Sequence, residues 1–196
     1  MARALVHEPE APMTRDAFQA WVDRQPSGRF ERIDGIVVAM APERAAHNRR
    51  KRAAYRALER AIGSAGLTTC EAFADGMTVQ VEDSDFEPDA LLRCGPRLPG
   101  ESTRVPDPMV LVEVLSPDSG TRDRSTKLRA YFKLPTVMHY LIVWPEEQRI
   151  VRHSRMPGDR PGDRPEDGID TQVFVAGEIM LDPPGICVTV EEFYAD

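Results

Sequence analysis

Long apolar runs are missing from this 196-residue chain. Nothing in it approaches the roughly 20 consecutive apolar residues that carry a helix across a bilayer. Residues Met1 to Met13 hold His7, Glu8, Glu10 and two prolines, without the apolar core of a secretory signal. Cysteine is scarce. Cys70, Cys94 and Cys187 are odd in number, far apart and without a C-x-x-C pair, which argues against a disulfide framework or a zinc knuckle. Reduced thiols in a cytoplasmic protein are therefore the expectation. Ligand-like histidine spacing is also lacking, so His7, His139 and His153 receive no role. Positive charge is in deficit: the formal net charge is −7, which weighs mildly against nucleic acid as a partner because phosphate binding depends on Lys and Arg.

What is present suits one domain. Hydrophobic residues make up 41% of the chain and charged residues 29%, an ordinary balance for a globular core of this length. The expected organisation is a flexible segment over residues 1–12 followed by a single domain over residues 13–196. Within it, Pro157-Gly158-Asp159-Arg160-Pro161-Gly162-Asp163-Arg164-Pro165 repeats a four-residue unit that cannot pack a core. A mobile surface loop is expected there, across residues 156–168. Charge is unevenly spread. Arg44, Arg49, Arg50, Lys51, Arg52, Arg56 and Arg60 crowd one segment, and Glu71, Asp75, Glu82, Asp83, Asp85, Glu87 and Asp89 crowd the next. That pattern allows a basic face beside an acidic pocket, or simply a solvated helix surface.

Local signals alternate between helix and strand. Thr14 is a candidate N-cap for a helix through Val22, ended by Pro26-Ser27-Gly28. Asp34-Gly35, flanked by β-branched residues, predicts a hairpin over Phe30 to Met40. Alanine, arginine and leucine predict a long helix from Glu43 to Ile62, closed by Gly63, with Ala53, Ala57, Leu58, Ala61 and Ile62 as its apolar stripe. Strands are expected at Met77 to Val81, Asp89 to Arg93 and Met109 to Leu115, the last apolar enough to be central and covered on both faces. A helix over Arg122 to Leu134, halted by Pro135, leads to an apolar strand from Val137 to Trp144, paired with Ile150 to His153. Short strands and a helical turn at Val190 to Tyr194 complete the chain.

Two of these strands carry an acid in an unusual place. Glu87-Pro88-Asp89-Ala90-Leu91-Leu92 puts Asp89 at the mouth of its strand, and Met109 to Leu115 embeds Glu113 on the face it shares with Leu111 and Leu115. A carboxylate among aliphatic side chains is costly unless it is paired or coordinates a metal. Two such groups brought together repel, and a divalent cation removes that repulsion. Lys127 follows on a predicted helix, on one face with Asp123 and Tyr131, four residues either way. Oxygen ligands with few soft donors favour Mg²⁺ or Mn²⁺ over zinc. The Lys127 ammonium could hold an attacking water or offset charge on a phosphate. On spacing alone, an equal alternative is that Asp89 and Glu113 cap neighbouring loops or pair with arginines.

Taken together, Phe30-Glu31-Arg32-Ile33-Asp34-Gly35, Pro88-Asp89, Val112-Glu113-Val114-Leu115-Ser116-Pro117 and the run from Asp123 through Lys127 to Tyr131 resemble the Uma2 family of the PD-(D/E)xK nuclease superfamily. The resemblance spans about Met13 to about His153. It implies an α/β (α+β) fold with a restriction-endonuclease-like core, a mixed central β-sheet flanked by α-helices, and Asp89 and Glu113 as metal ligands. Superfamily members usually place the lysine two residues after the acid. Leu115 stands there in this chain, so the lysine role passes to Lys127. Glu31 and His47 match family positions and would line the cleft, although Glu31 is equally a hairpin surface residue and His47 a helix residue bonded to backbone. The family's acid, Tyr-Trp pair and Asp-Pro near the strand beginning at Val137 are replaced by His139, Tyr140-Leu141 and Trp144-Pro145.

The resulting expectation is a Mg²⁺- or Mn²⁺-dependent endonuclease acting on DNA. Asp89, Glu113 and the Val114 carbonyl would hold the metal, Lys127 would orient water, and Arg49, Arg50 and Arg52 would track the phosphate backbone. Cutting both strands points to a homodimer. The alternative is a non-catalytic nucleic-acid-binding or regulatory protein on a nuclease-like scaffold.

Overall fold

The computed structural model describes residues 11–115, 121–156 and 168–195, with the backbone alone for residues 121–124. The expected flexible segment (apart from its last two residues), the four-residue repeat, Ser116-Pro117 and the Asp123 side chain therefore lie outside the described residues.

Helix α1 (Arg15–Val22) starts where Thr14 Oγ1 accepts from the Ala17 N–H, and Phe18 is its buried anchor. Strands β1 (Phe30–Ile33) and β2 (Ile36–Ala39) form the expected hairpin, with Ile33 opposite Ile36. Asp34 and Gly35 both have positive φ, at 50° and 82°, which matches the twist of a two-residue turn.

Helix α2 (Ala45–Ser64) runs past its expected stop at Gly63. Its end is set by Gly66 instead, which has φ +66°. The Gly66 N–H donates to the Gly63 carbonyl and the Leu67 N–H to that of Ile62, both at 3.2 Å, so the last carbonyls are satisfied by a left-handed cap. Gly63 stays helical because the residue that needs the left-handed region comes three positions later.

The remaining strands are β3 (Cys70–Ala74), β4 (Val79–Val81), β5 (Ser84–Phe86), β6 (Ala90–Cys94), β7 (Pro108–Val114), β8 (His139–Trp144), β9 (Arg149–Arg155), β10 (Ile169–Phe174), β11 (Glu178–Leu181) and β12 (Ile186–Thr189). Helix α3 (Thr121–Tyr131) connects β7 to β8, and α4 (Val190–Tyr194) closes the described chain. A six-stranded sheet has the order β10-β9-β8-β7-β6-β3, a four-stranded sheet the order β2-β1-β5-β4, and β11 and β12 pair separately. The large sheet is mixed, because β7 and β8 run parallel while β6 and β7 run antiparallel. This is the α+β architecture, with a mixed sheet flanked by helices, that the sequence predicts.

The alternation of β7 sorts its side chains between two cores. Val110, Val112 and Val114 pack with Ala54, Ala57, Leu58 and Ala61 of α2. Leu111 and Leu115 pack on the other face with Tyr131, Phe132, Val137 and Tyr140. Glu113 projects on this second face, between two leucines. Leu115, in the usual lysine position, is simply core.

Two strands are absent from the sequence expectations. β5 is three residues long and acidic, yet buried, because Asp85 meets Arg32 Nε at 2.6 Å and Arg15 Nε at 2.9 Å. β3 has no β-branched residue, and its register against β6 places Cys70 opposite Cys94. These two cysteines form a disulfide, which corrects the expectation of reduced thiols throughout; Cys187 is free. Pairing across a strand that sequence patterning misses cannot be seen from a spacing of 24 residues. Among the described residues, no helix is long and apolar enough to cross a membrane.

Candidate active site

The site forms where the two larger sheets approach each other, with α2 on one side and α3 on the other. Asp89 sits immediately before β6, its own N–H bonded to the Val112 carbonyl at 3.0 Å. That bond places its carboxylate alongside the end of β7, where Oδ2 accepts from the Val114 N–H at 2.7 Å. Glu113 is therefore the residue adjacent to the amide that holds Asp89. From α3, Lys127 Nζ reaches Glu113 Oε1 at 3.0 Å and Glu31 Oε1, on β1, at 3.0 Å. One helical turn on, the Tyr131 hydroxyl donates to the same Glu113 oxygen at 2.8 Å. The Tyr131 ring is fixed edge-on between Phe86 and Tyr140.

Glu31 is not a hairpin surface residue. It is 6% exposed, and its Oε1 also accepts from the Glu87 N–H. His47 is bonded to backbone, but to a distant strand: Nε2–H donates to the Val114 carbonyl at 2.7 Å, and Nδ1 lies 3.2 Å from Glu43 Oε1. The structure thus brings together Asp89, Glu113, Lys127, Glu31, His47 and the Val114 carbonyl. It does not bring Arg49 and Arg52 to them. At about 100° per residue, these arginines point away from the face that carries His47 and Lys51. With Arg56 and Arg60 they line a groove of about 230 Å³ against Glu192 of α4. Arg50 instead lies over the Tyr194 ring, 5.1 Å from its centroid.

Lys51 was missed by sequence reasoning. Its Nζ lies 2.8 Å from Asp89 Oδ1, 2.5 Å from Glu43 Oε1 and 3.4 Å from Asp75 Oδ2. A signal existed in the spacing: His47 and Lys51 lie four residues apart on one face of α2, opposite the arginines, and Glu43 stands four residues before His47, just ahead of the helix.

Burial pushes Glu113 up to about 8, with Asp89 and Glu31 adding to the rise and the Lys127 ammonium opposing it. Burial raises the Tyr131 phenol as well, reinforced by the Glu113 charge. Burial alone would lower Lys51, but Asp89, Glu43 and Asp75 carry its ammonium above the ordinary lysine value. Glu43, which burial would raise, is drawn down to about 2 by Lys51 and Asn48.

The donor chemistry suits a hard cation. Both described donors to Glu113, Lys127 Nζ and the Tyr131 hydroxyl, use Oε1. Among the described residues no cluster of three or more His, Cys, Asp or Glu side chains forms a ready-made metal cage. Two carboxylates and a carbonyl match instead the partly hydrated binding of Mg²⁺, which keeps several waters.

Residues 15–171 match the model of the Uma2 family, described as "Putative restriction endonuclease". The chain belongs to the Uma2 family. An uncharacterized protein of Synechocystis sp. is 27% identical to this Uma2 chain over 172 residues, covering 79% of the chain and 83% of the relative. A crystal structure from Anabaena variabilis, described as "a putative nuclease belonging to DUF820", shares the fold with a TM-score of 0.70 at 16% identity, over 93% of this chain and 98% of that one.

Proposed function

We propose that this Uma2 chain is a Mg²⁺- or Mn²⁺-dependent endonuclease that hydrolyses phosphodiester bonds in DNA. The observation that carries this reading is the meeting of three residues far apart in sequence. Asp89 is hydrogen-bonded to the amide after Glu113, and Lys127 Nζ lies 3.0 Å from Glu113 itself. Asp89, Glu113 and the Val114 carbonyl would hold the metal. When bound, the metal supplies Lewis-acid polarisation of the phosphate and a water activated as nucleophile.

The protein's own residues do the rest. Tyr131 and Lys127 hold Glu113 through one oxygen, leaving the other for the cation. Glu31 draws Lys127 from the opposite sheet, which aims the ammonium across the mouth of the site, where it orients water and offsets charge on the phosphate. His47 fixes the Val114 carbonyl. Arg49 and Arg52, on the far face of α2, would contact flanking phosphates, a role that sets position without reading sequence. A target in intracellular DNA would put the activity in the cytoplasm, with the Cys70–Cys94 disulfide pulling the other way, and cutting both strands calls for two copies of the site, hence a homodimer.

Plasmid nicking with Mg²⁺ and Mn²⁺ tests the proposal. Wild type should nick, Glu113→Ala should not, and Lys127→Ala should lose cleavage while retaining metal binding. A wild-type protein that cleaves neither DNA nor RNA with either metal would overturn the enzymatic reading in favour of non-catalytic binding.

A further inference from the structure

Lys51 lies outside the acid–lysine set, yet it is as deeply placed as Lys127; each is 6% exposed. Burying an ammonium is costly unless partners compensate it, and Lys51 has three. Asp89 Oδ1 is 2.8 Å away, Glu43 Oε1 2.5 Å and Asp75 Oδ2 3.4 Å. Two of the three have other side-chain donors within hydrogen-bonding reach. Glu43 also meets His47 and Asn48, and Asp75 receives Arg29 Nη1 at 2.6 Å. Asp89 is different: its second oxygen takes a backbone amide, so Lys51 is the closest cation to it, with His47 Nε2 farther off at 3.9 Å.

We propose that Lys51 is a positioning residue that acts as a built-in counter-cation for Asp89, holding the carboxylate in place and setting the affinity of the site for a divalent metal by competing with it. This rests on the reading of Asp89 and Glu113 as metal ligands given above. A unit positive charge touching one ligand oxygen repels a divalent ion arriving at the same carboxylate, and the repulsion is strong where water is scarce. Glu43 and Asp75 give the ammonium a place to remain once the metal takes Asp89, so the site exchanges one cation for another without stranding either charge. In the metal-free protein the same contact keeps Asp89 from being an uncompensated buried anion.

The test uses Mn²⁺ alone with the full chain. Calorimetric titration compares wild type with Lys51→Met, which keeps the aliphatic stem and loses the charge, and Lys51→Arg, which keeps the charge. Lys51→Met should bind Mn²⁺ at least about tenfold more tightly, and Lys51→Arg should stay near wild type. Glu113→Ala should abolish binding in either background. Because Lys51→Met removes the partner of three acids, a second measurement needs no change at Lys51: in wild-type protein labelled at lysine nitrogen, the Lys51 Nζ resonance should shift on Mg²⁺ addition, and the shift should vanish in Glu113→Ala. Wild type that binds Mn²⁺ while Lys51→Met binds equally or more weakly overturns this inference and leaves the metal reading standing. An Nζ resonance indifferent to bound Mg²⁺ does the same. Failure of every variant and of wild type to bind metal overturns both.

Discussion

At Glu113 two demands meet. Burial and the neighbouring Asp89 and Glu31 favour its proton, whereas Lys127 and a divalent cation favour its charge. In the metal-free protein its value is raised from 4.5 to about 8, so between those limits the folded state holds a proton that the unfolded chain has lost. The contribution to stability is then fully present below pH 4.5 and is lost as the pH rises through about 8. Replacing Glu113 with Gln mimics the protonated form. Metal-free Glu113→Gln should therefore melt above wild type at pH 9 by the equivalent of a few kcal/mol, and the two should converge near pH 5. Thermal melts in chelator across that range check it. Asp89 and Glu113 stand out in the sequence because a carboxylate inside an aliphatic run demands an explanation. Lys51 does not, because it sits in a basic cluster and only helix phase turns it inward while its neighbours face outward.

Helix α2 shows how one element divides its labour. One face packs Ala54, Ala57, Leu58 and Ala61 on the large sheet. Near its start, the flank towards the site presents His47 and Lys51, and the outer face carries Arg49, Arg52, Arg56 and Arg60 along a groove. If the outer arginines contact phosphates, Arg49→Gln with Arg52→Gln should lower the slope of log affinity against log salt by roughly 0.9 per arginine on a DNA duplex, while Mn²⁺ affinity is unchanged. An unaltered slope would remove both residues from the DNA interface. Other elements differ in legibility for physical reasons. β7 and β8 are readable because both faces are covered and the sequence is apolar apart from Glu113 and His139. β5 is not, because its burial depends on Arg32 and Arg15 arriving from elsewhere in the chain. α3 ends before its expected limit because the Lys133 and Leu134 amides bond three residues back, in tight turns that precede Pro135.

Across the whole molecule, the metal-free protein should be most stable at intermediate pH. His139 joins β8 to the turn between β11 and β12: Nε2–H donates to the Pro183 carbonyl at 3.0 Å, and Nδ1 accepts from the Ser154 hydroxyl at 2.8 Å. Burial lowers it from 6.5 to about 4, against the pull of the Pro183 carbonyl. Below pH 6.5 the unfolded chain takes up a proton that the folded state refuses, so stability present above that value is lost as the pH falls towards 4. The full loss amounts to about 3 kcal/mol. In a Glu113→Gln background, which removes the opposing slope, urea unfolding at pH 7.5 and pH 5 should show most of this difference, and much less of it once His139→Gln is added. The slopes from His139 and Glu113 oppose one another, and a bound metal removes the second by keeping Glu113 ionised.

Everything proposed for the site depends on Asp89 and Glu113 sharing one cation. Anomalous diffraction from a crystal soaked in Mn²⁺ addresses that directly. The expected result is a single strong peak within coordination distance of Asp89, Glu113 and the Val114 carbonyl, lost in Glu113→Ala. A well-ordered soaked crystal with no peak there, or with manganese bound by other acids, would contradict it.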